Sequence, residues 1–183
     1  MNQLLLLIFL ITTQLVFGQQ YSSLISDNEI ENFISLDISN TKKLDHERKG
    51  KRRLYRKIIN WDTSIFTEPV KNASTWEKYV YFFKTQNQID SLFNQDDKLF
   101  IVEQIKAQKD TLWNSEWENI KIERRPRKNQ YSFSIPLFTI NRQVAIINKI
   151  YYCGNLCAYG GHFIYVKRDE QWYLWKTINA WMS

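Results

Sequence analysis

Gln143-Val144-Ala145-Ile146-Ile147-Asn148-Lys149-Ile150-Tyr151-Tyr152-Cys153 is the stretch whose reading decides the fold. Its apolar residues alternate between two sets: Val144, Ile146, Ile150 and Tyr152 in one, Ala145, Ile147 and Tyr151 in the other. A period of two is that of a β-strand, whose successive side chains point to opposite faces. Upstream, Tyr131, Phe133 and Ile135 alternate with serines until Pro136; downstream, His162 to Lys167 and Trp172 to Ile178 supply two more strands. The last two are joined by the polar Arg168-Asp169-Glu170-Gln171. Strands joined by so short a connection run antiparallel. Trp172, Tyr173 and Trp175 place aromatics on both sides of the last strand, so something should cover both sides there.

Two helices precede this sheet. Ser26 followed three places later by Glu29 has the form of a capping box, with Ile25 before the cap. Behind it Ile30, Phe33, Ile34 and Asp37 keep a helical rhythm, which predicts a helix over about residues 27–38. Asp96-Asp97 opens a second, to about Gln108, with Leu99, Val102 and Lys106 on one face and Ile101, Ile105 and Gln108 on the next. Its two acids sit at the positive end of the helix dipole, worth a few tenths of a kcal/mol at about 0.3–1 kcal/mol each at most, so they carry no catalytic implication. Thr75 to Phe83 fits either a strand or an aromatic helix, and Asn72-Ala73-Ser74 matches the glycosylation triplet. The fold class expected is therefore α+β: a C-terminal antiparallel sheet of four or more strands with the helices packed on one face. A curled roll with an interior pocket is the variant.

Composition agrees with this class. The chain has 183 residues, 44% apolar and 24% charged, which excludes wholesale disorder, collagen and a coiled-coil rod. One domain, residues 19–183, is the natural count. Residues 1–18 stand apart: Leu4 to Ile11 is an unbroken apolar run, continued to Leu15, Val16 and Phe17, and small Gly18 offers a cleavage site before Gln19. This is the form of a secretory signal, although Met1-Asn2-Gln3 carries no Lys or Arg. The run is shorter than the ~20 apolar residues that span a bilayer. With that leader removed, no later stretch is apolar enough to form a transmembrane segment, and a periplasmic or secreted location follows. The formal charge is +6, and nine cations against Asp45 and Glu47 crowd into residues 42–57. That segment is expected to be a solvated arm or polar helix face, with contact to a polyanion as its functional alternative. It lacks the aromatic interleaving of a single-strand groove, which disfavours nucleic acid.

The chemistry-bearing segment is Tyr151-Tyr152-Cys153-Gly154-Asn155-Leu156-Cys157-Ala158-Tyr159-Gly160-Gly161-His162, which holds three of the five glycines. Glycine permits positive φ and close backbone approach, so this loop is conformationally demanding. Cys153 and Cys157 are the only cysteines. In an exported chain they are expected to form a disulfide that fixes a hairpin connection. C-x3-C is not the C-x2-C of redox or zinc motifs, and with His162 the two thiols would still lack a fourth metal ligand. No metal site and no cofactor is expected. His162 has no serine nucleophile elbow beside it, and Glu116 and Glu118, two apart, point away from each other on a helix or a strand alike. No catalytic residue is therefore assigned.

Ser134-Ile135-Pro136-Leu137-Phe138, Val144-Ala145-Ile146-Ile147, Tyr151-Tyr152-Cys153-Gly154-Asn155-Leu156-Cys157, Gly160-Gly161, Trp172 and Lys176-Thr177-Ile178-Asn179-Ala180-Trp181 carry a resemblance. Over residues 95–183 the chain resembles a group of small exported proteins of Bacteroidota-type bacteria that share a Y-C-G-x-L-C motif. The resemblance implies export and a shared C-terminal sheet, and no activity. The function expected is that of an exported, non-catalytic binding protein with an unidentified protein or small-molecule partner. Tyr151, Tyr152, Asn155, Tyr159 and His162 are its candidate binding residues. The alternatives are an envelope hydrolase using His162 with a nearby tyrosine, and a carrier with an aromatic-lined pocket.

Overall fold

The computed structural model describes residues 20–41, 52–61, 92–109, 111–114, 117, 120–154 and 156–183. Residues 1–18, most of the basic segment, Thr75 to Phe83, Asn72, Glu116, Glu118 and Asn155 lie outside the described residues. The elements run α1 (Asp27–Thr41), β1 (Arg52–Tyr55), α2 (Gln95–Lys106), β2 (Ile120–Glu123), β3 (Gln130–Phe133), β4 (Leu137–Phe138), β5 (Val144–Gly154), β6 (Cys157–Arg168) and β7 (Gln171–Met182). The fold is α+β, as expected.

Both helices begin where the sequence places them. The Ser26 hydroxyl accepts the Glu29 backbone N–H at 3.3 Å, and the Asn94 side chain accepts that of Asp97 at 2.8 Å. Each cap satisfies a donor that the first helical turn leaves without a partner. Glu29 itself turns away to pair with Arg142 at 3.0 Å. The Asp27 carboxylate accepts the N–H groups of Gln20 and Tyr21, at 2.6 and 3.0 Å, and ties the preceding chain to the helix start.

The sheet order is β2-β1-β3-β5-β6-β7, with β4 also on β5. β3, β4, β5, β6 and β7 make the expected antiparallel sheet. Beyond it the sheet is mixed, because β1 lies parallel to both β2 and β3. No tight turn joins these strands, so nothing forces them antiparallel. This corrects the reading of the basic segment as a solvated arm or helix face over its described part. Residues 52–55 are an inner strand whose Leu54 is fully buried while Arg53 stays exposed.

β3 and β4 follow one another along the same side of β5, paired with residues 149–152 and 145–146 respectively. The jog between them is held by Ser134, whose N–H donates to the Asn148 carbonyl and whose hydroxyl accepts the Asn148 N–H, both at 2.9 Å. α2 completes this edge. The Gln104 side chain donates to the Phe138 carbonyl at 2.7 Å and accepts the Phe138 N–H at 3.0 Å, so one amide stands in for a neighbouring strand. Asp97 likewise accepts the Ile140 N–H at 2.9 Å.

Alternation along β5 sorts the core into two clusters. Ala145, Ile147 and Tyr151 join Ile30, Phe33, Ile34 and Ile38 of α1 with Phe133, Phe138 and Tyr165. Val144, Ile146 and Ile164 join Trp61, Phe93, Ile101 and Ile178. A common face for both helices is not shown: α2 straddles the edge, with Phe100 against the first cluster and Ile101 inside the second.

One polar group sits within the first cluster. Asp37 of α1 is fully buried, and its two carboxylate oxygens accept from the Lys149 ammonium at 3.0 and 2.9 Å and from the Tyr165 hydroxyl. The same ammonium lies 4.2 Å from the centre of the Phe163 ring. Burial, the charge of Asp37 and the hydrogen bond to it hold the Tyr165 phenol well above its ordinary range, so it stays a donor at any physiological pH. Removing one ion from a buried pair strands the other, at a cost of about 3–5 kcal/mol, whereas replacing the whole group with apolar side chains is near neutral. Lys149→Met should therefore lower unfolding free energy by about 3 kcal/mol in urea. The triple change Asp37→Leu, Lys149→Met and Tyr165→Phe should recover more than half of that loss. A single variant as stable as the parent would show that the pair does not hold α1 to the sheet.

Candidate functional site

Strands β5, β6 and β7 reach their common end where the cysteines lie. Cys153 and Cys157 form the expected disulfide, with Cα atoms 5.2 Å apart. Gly154 pairs with Cys157, so the turn lies between them and contains Leu156. Gly154 has φ +149° and Leu156 φ 59°, the left-handed values a tight hairpin demands. Tyr159 of β6 pairs with Met182 of β7, and Gly160 with Trp181. Ala158 and Ser183 exchange backbone hydrogen bonds at 3.2 and 2.8 Å, so the last residue is still tied to the sheet.

This end carries apolar side chains in the open. Leu156 is 96% exposed, Met182 85%, Trp181 44%, Tyr159 38% and Tyr152 36%. Directly opposed residues of an antiparallel pair share a face. Tyr159 and Met182 therefore lie on the face of Tyr151, while Tyr152, Gly160 and Trp181 lie on the other. The result is a wedge, apolar on both sides, with Leu156 at its apex. The sequence pointed to the tyrosines of the loop, and the structure adds Leu156, Trp181 and Met182. The last two are distant along the chain and reach the loop only through strand register.

The candidate binding residues divide between the faces. Tyr151 is buried, with its ring 4.7 Å from that of Tyr131 and 5.1 Å from that of Tyr159, and its hydroxyl 3.1 Å from the Asn129 side-chain oxygen. It supports Tyr159 from beneath. His162 belongs to the opposite face, half-buried, with its ring 5.5 Å from that of Trp61 and nearly parallel to it. The Trp61 indole N–H donates to the Ile135 carbonyl at 2.7 Å. Burial lowers the His162 pKa to about 4. The imidazole is therefore neutral at physiological pH. Tyr151 and Tyr159 lie across the sheet from it. Cys153 and Cys157 hold each other as a disulfide and offer no thiolates, and among the described residues no group of three His, Cys, Asp or Glu side chains converges on a metal position.

Beside the wedge lies a second feature. The β2–β3 connection contains Arg124, Arg125, Arg127 and Lys128, all exposed, with no acid among them. Lys128 runs along the hairpin, its side-chain carbons 3.4 Å from where a Cβ on Gly154 would sit. Glu123 is shared by Lys121, Arg127 and Arg53 at 3.3, 3.7 and 3.9 Å. The positive charge of residues 52–57 thus joins a second basic run on the sheet.

No protein-family model, no curated protein and no solved structure matches the chain. The functional reading accordingly rests on its own geometry.

Two measurements check this description. A Cβ at Gly160 would lie 2.9 Å from both the Lys149 carbonyl oxygen and the Trp181 ring, so the glycine makes room for the indole. Gly160→Ala should cost about 1–3 kcal/mol of stability and shift the Trp181 indole resonance in an NMR spectrum. An unmoved resonance would show that the indole does not seat there. For His162, the unfolded chain takes up a proton near the ordinary 6.5 and the folded chain only near 4, so the unfolded state gains protons first as pH falls. Stability should decline from pH 6.5 to 4 more steeply in the parent than in His162→Gln, read from urea midpoints. Parallel curves would contradict the buried, neutral imidazole.

Proposed function

We propose that this chain is an exported, non-catalytic binding protein that engages its partner through the apolar wedge at the disulfide-bonded end of the sheet. The observation carrying the reading is the concentration of exposed Leu156, Tyr159, Trp181 and Met182 on one covalently braced end. Exposed apolar clusters of this kind mark interaction surfaces. A disulfide across a four-residue separation and a three-strand junction keep these side chains in place before binding, which reduces the ordering cost of association.

Export rests on three supports. Residues 1–18 have the form of a signal peptide, the only cysteine pair is oxidised, and the C-terminal half resembles exported proteins. Among the described residues no helix is long and apolar enough to cross a membrane. The hydrolase alternative gains no support: the sheet separates His162 from Tyr151 and Tyr159, and Tyr152, on the same face as His162, is opposite Ala158, four residues away along β6.

A photo-crosslinking residue tests the reading in cells. Installed at Leu156, it should capture an envelope component, protein or lipid, in the exported fraction. Installed at Asp169, in the turn at the opposite end of β6, it should capture none. Equal labelling at both ends, or protein found only in the cytosol with its leader intact, would sink the proposal.

A further inference from the structure

The wedge and the basic run beside it have complementary chemistry. Leu156 and Met182, the most exposed large apolar side chains among the described residues, carry no ring; Leu156 lies in the hairpin turn and Met182 opposite Tyr159. Tyr152, Tyr159 and Trp181 share that end, Tyr159 directly opposite Met182 and Tyr152 opposite Ala158, each with an apolar body and a polar atom at its rim. Such residues favour the boundary between hydrocarbon and water. Lys128 lies beside the hairpin, and Arg124 and Arg125, also exposed, precede it in the same connection, all on long stems that let a charge reach headgroups while the stem stays on apolar surface.

We infer that this end of the protein docks on an anionic phospholipid surface, with Leu156 and Met182 entering the acyl boundary and the β2–β3 cations contacting headgroup phosphates. The inference rests on the reading that the wedge is the interaction surface and names its occupant. Two observations favour a bilayer over a protein or a nucleic acid. First, the apolar side chains lie on both faces of the sheet end, as the register of Tyr159 with Met182 and of Gly160 with Trp181 requires. A folded partner laid against one face leaves the other wet, whereas a fluid surface closes around both. Second, Leu156, the described side chain nearest the tip and 96% exposed, is aliphatic and offers no π-face to a base, although single-strand binding depends on stacking. An amphipathic element buries its apolar side about 5–10 Å into the headgroup region, and basic side chains near an anionic leaflet add about 1 kcal/mol each.

Strand addition along β7 is a weaker candidate. β7 is the outer strand and exposes Tyr173, Leu174 and Trp175. However, its register with β6 shifts twice, leaving Trp175 and one residue of the 179–180 pair unmatched. Bulges of this kind turn an edge away from further pairing.

The test is sedimentation of the full chain, disulfide oxidised, with vesicles of phosphatidylcholine containing 30% phosphatidylglycerol (roughly the anionic share that makes surface attraction strong), or with phosphatidylcholine alone. Every variant carries the same N-terminus, so any contribution of the apolar leader cancels. The parent should pellet with the anionic vesicles, bind the neutral ones far less, and be released by about 0.5 M salt. Leu156→Asp should weaken partition about tenfold, and the combined Arg124→Gln, Arg125→Gln, Lys128→Gln about a hundredfold. These positions are solvent-exposed, and unchanged near-ultraviolet circular dichroism verifies that each variant is folded. Absence of binding to anionic vesicles would overturn the inference. Binding unaffected by Leu156→Asp and displaced by heparin or an oligonucleotide would also overturn it, in favour of a general polyanion site. If vesicles fail while Leu156 crosslinks a protein in cells, the wedge remains an interaction surface and only the lipid assignment falls. If both fail, the wedge loses its role.

Discussion

The buried carboxylate of Asp37 constrains more of this structure than any other group. An ionised side chain taken out of water costs several kcal/mol unless an opposite charge and further donors meet it. Lys149 and Tyr165 supply both, from two adjacent strands. The consequences spread along the backbone. Lys149 must face α1, which sets the parity of β5 and therefore which residues of β6 and β7 share its face. A one-residue slip would leave Asp37 unpaired and put the ammonium in the second apolar cluster. Hydrophobic burial drives the sheet together, and this ion pair discriminates between registers that are almost equally apolar. That discrimination matters because β5 is apolar on both sides and its pattern alone is a weak guide to which side faces the helix.

How much of this was legible in the sequence follows from what local patterns encode. Period-two alternation located β3, β5, β6 and β7, and capping residues located both helices. The parallel strands β1 and β2 were not legible. Arg52-Arg53-Leu54-Tyr55 buries one apolar residue only, and its cations mask the strand as a charged arm. Its neighbours are supplied by residues 120–133, so no nearby turn announces the pairing. The ion pair did leave a trace. Asp37 falls on the same helical stripe as Ile30, Phe33 and Ile34, and Lys149 falls on the strand face of Ala145, Ile147 and Tyr151. An acid and a base, each on an otherwise apolar face, are two halves of one buried contact, and the pattern becomes meaningful when the halves are considered together.

The site shows the same division between local and long-range information. The glycines and the cysteine spacing announced a constrained hairpin, because φ values and ring closure are short-range properties. Which side chains the hairpin presents depends on register with β7, a contact across about twenty residues of strand and turn. Trp181 and Met182 enter the site by that route. Gly160 belongs to both categories. Locally it is one glycine of a pair, and only the seat of the Trp181 ring upon it explains why a side chain there would be costly.

The arrangement gives the molecule a direction. At one end of the long β6–β7 hairpin the turn is Asp169-Glu170, both exposed, both in left-handed conformation and both charged. At the other end the sheet finishes in Leu156, Trp181 and Met182, with Lys128 beside the hairpin. Apolar residues on a strand end are ordinarily a hazard, since they invite association during folding. Here they are held on a disulfide-closed turn and on a strand whose bulges discourage edge pairing. Both devices limit unwanted contacts without covering the apolar surface. A covered surface would have been the simpler route to solubility. Bracing that leaves the residues exposed is economical only if exposure is what they are for. On that ground we propose the wedge, rather than the half-buried His162 or the enclosed Asp37 cluster, as the part of the molecule shaped for contact with something else.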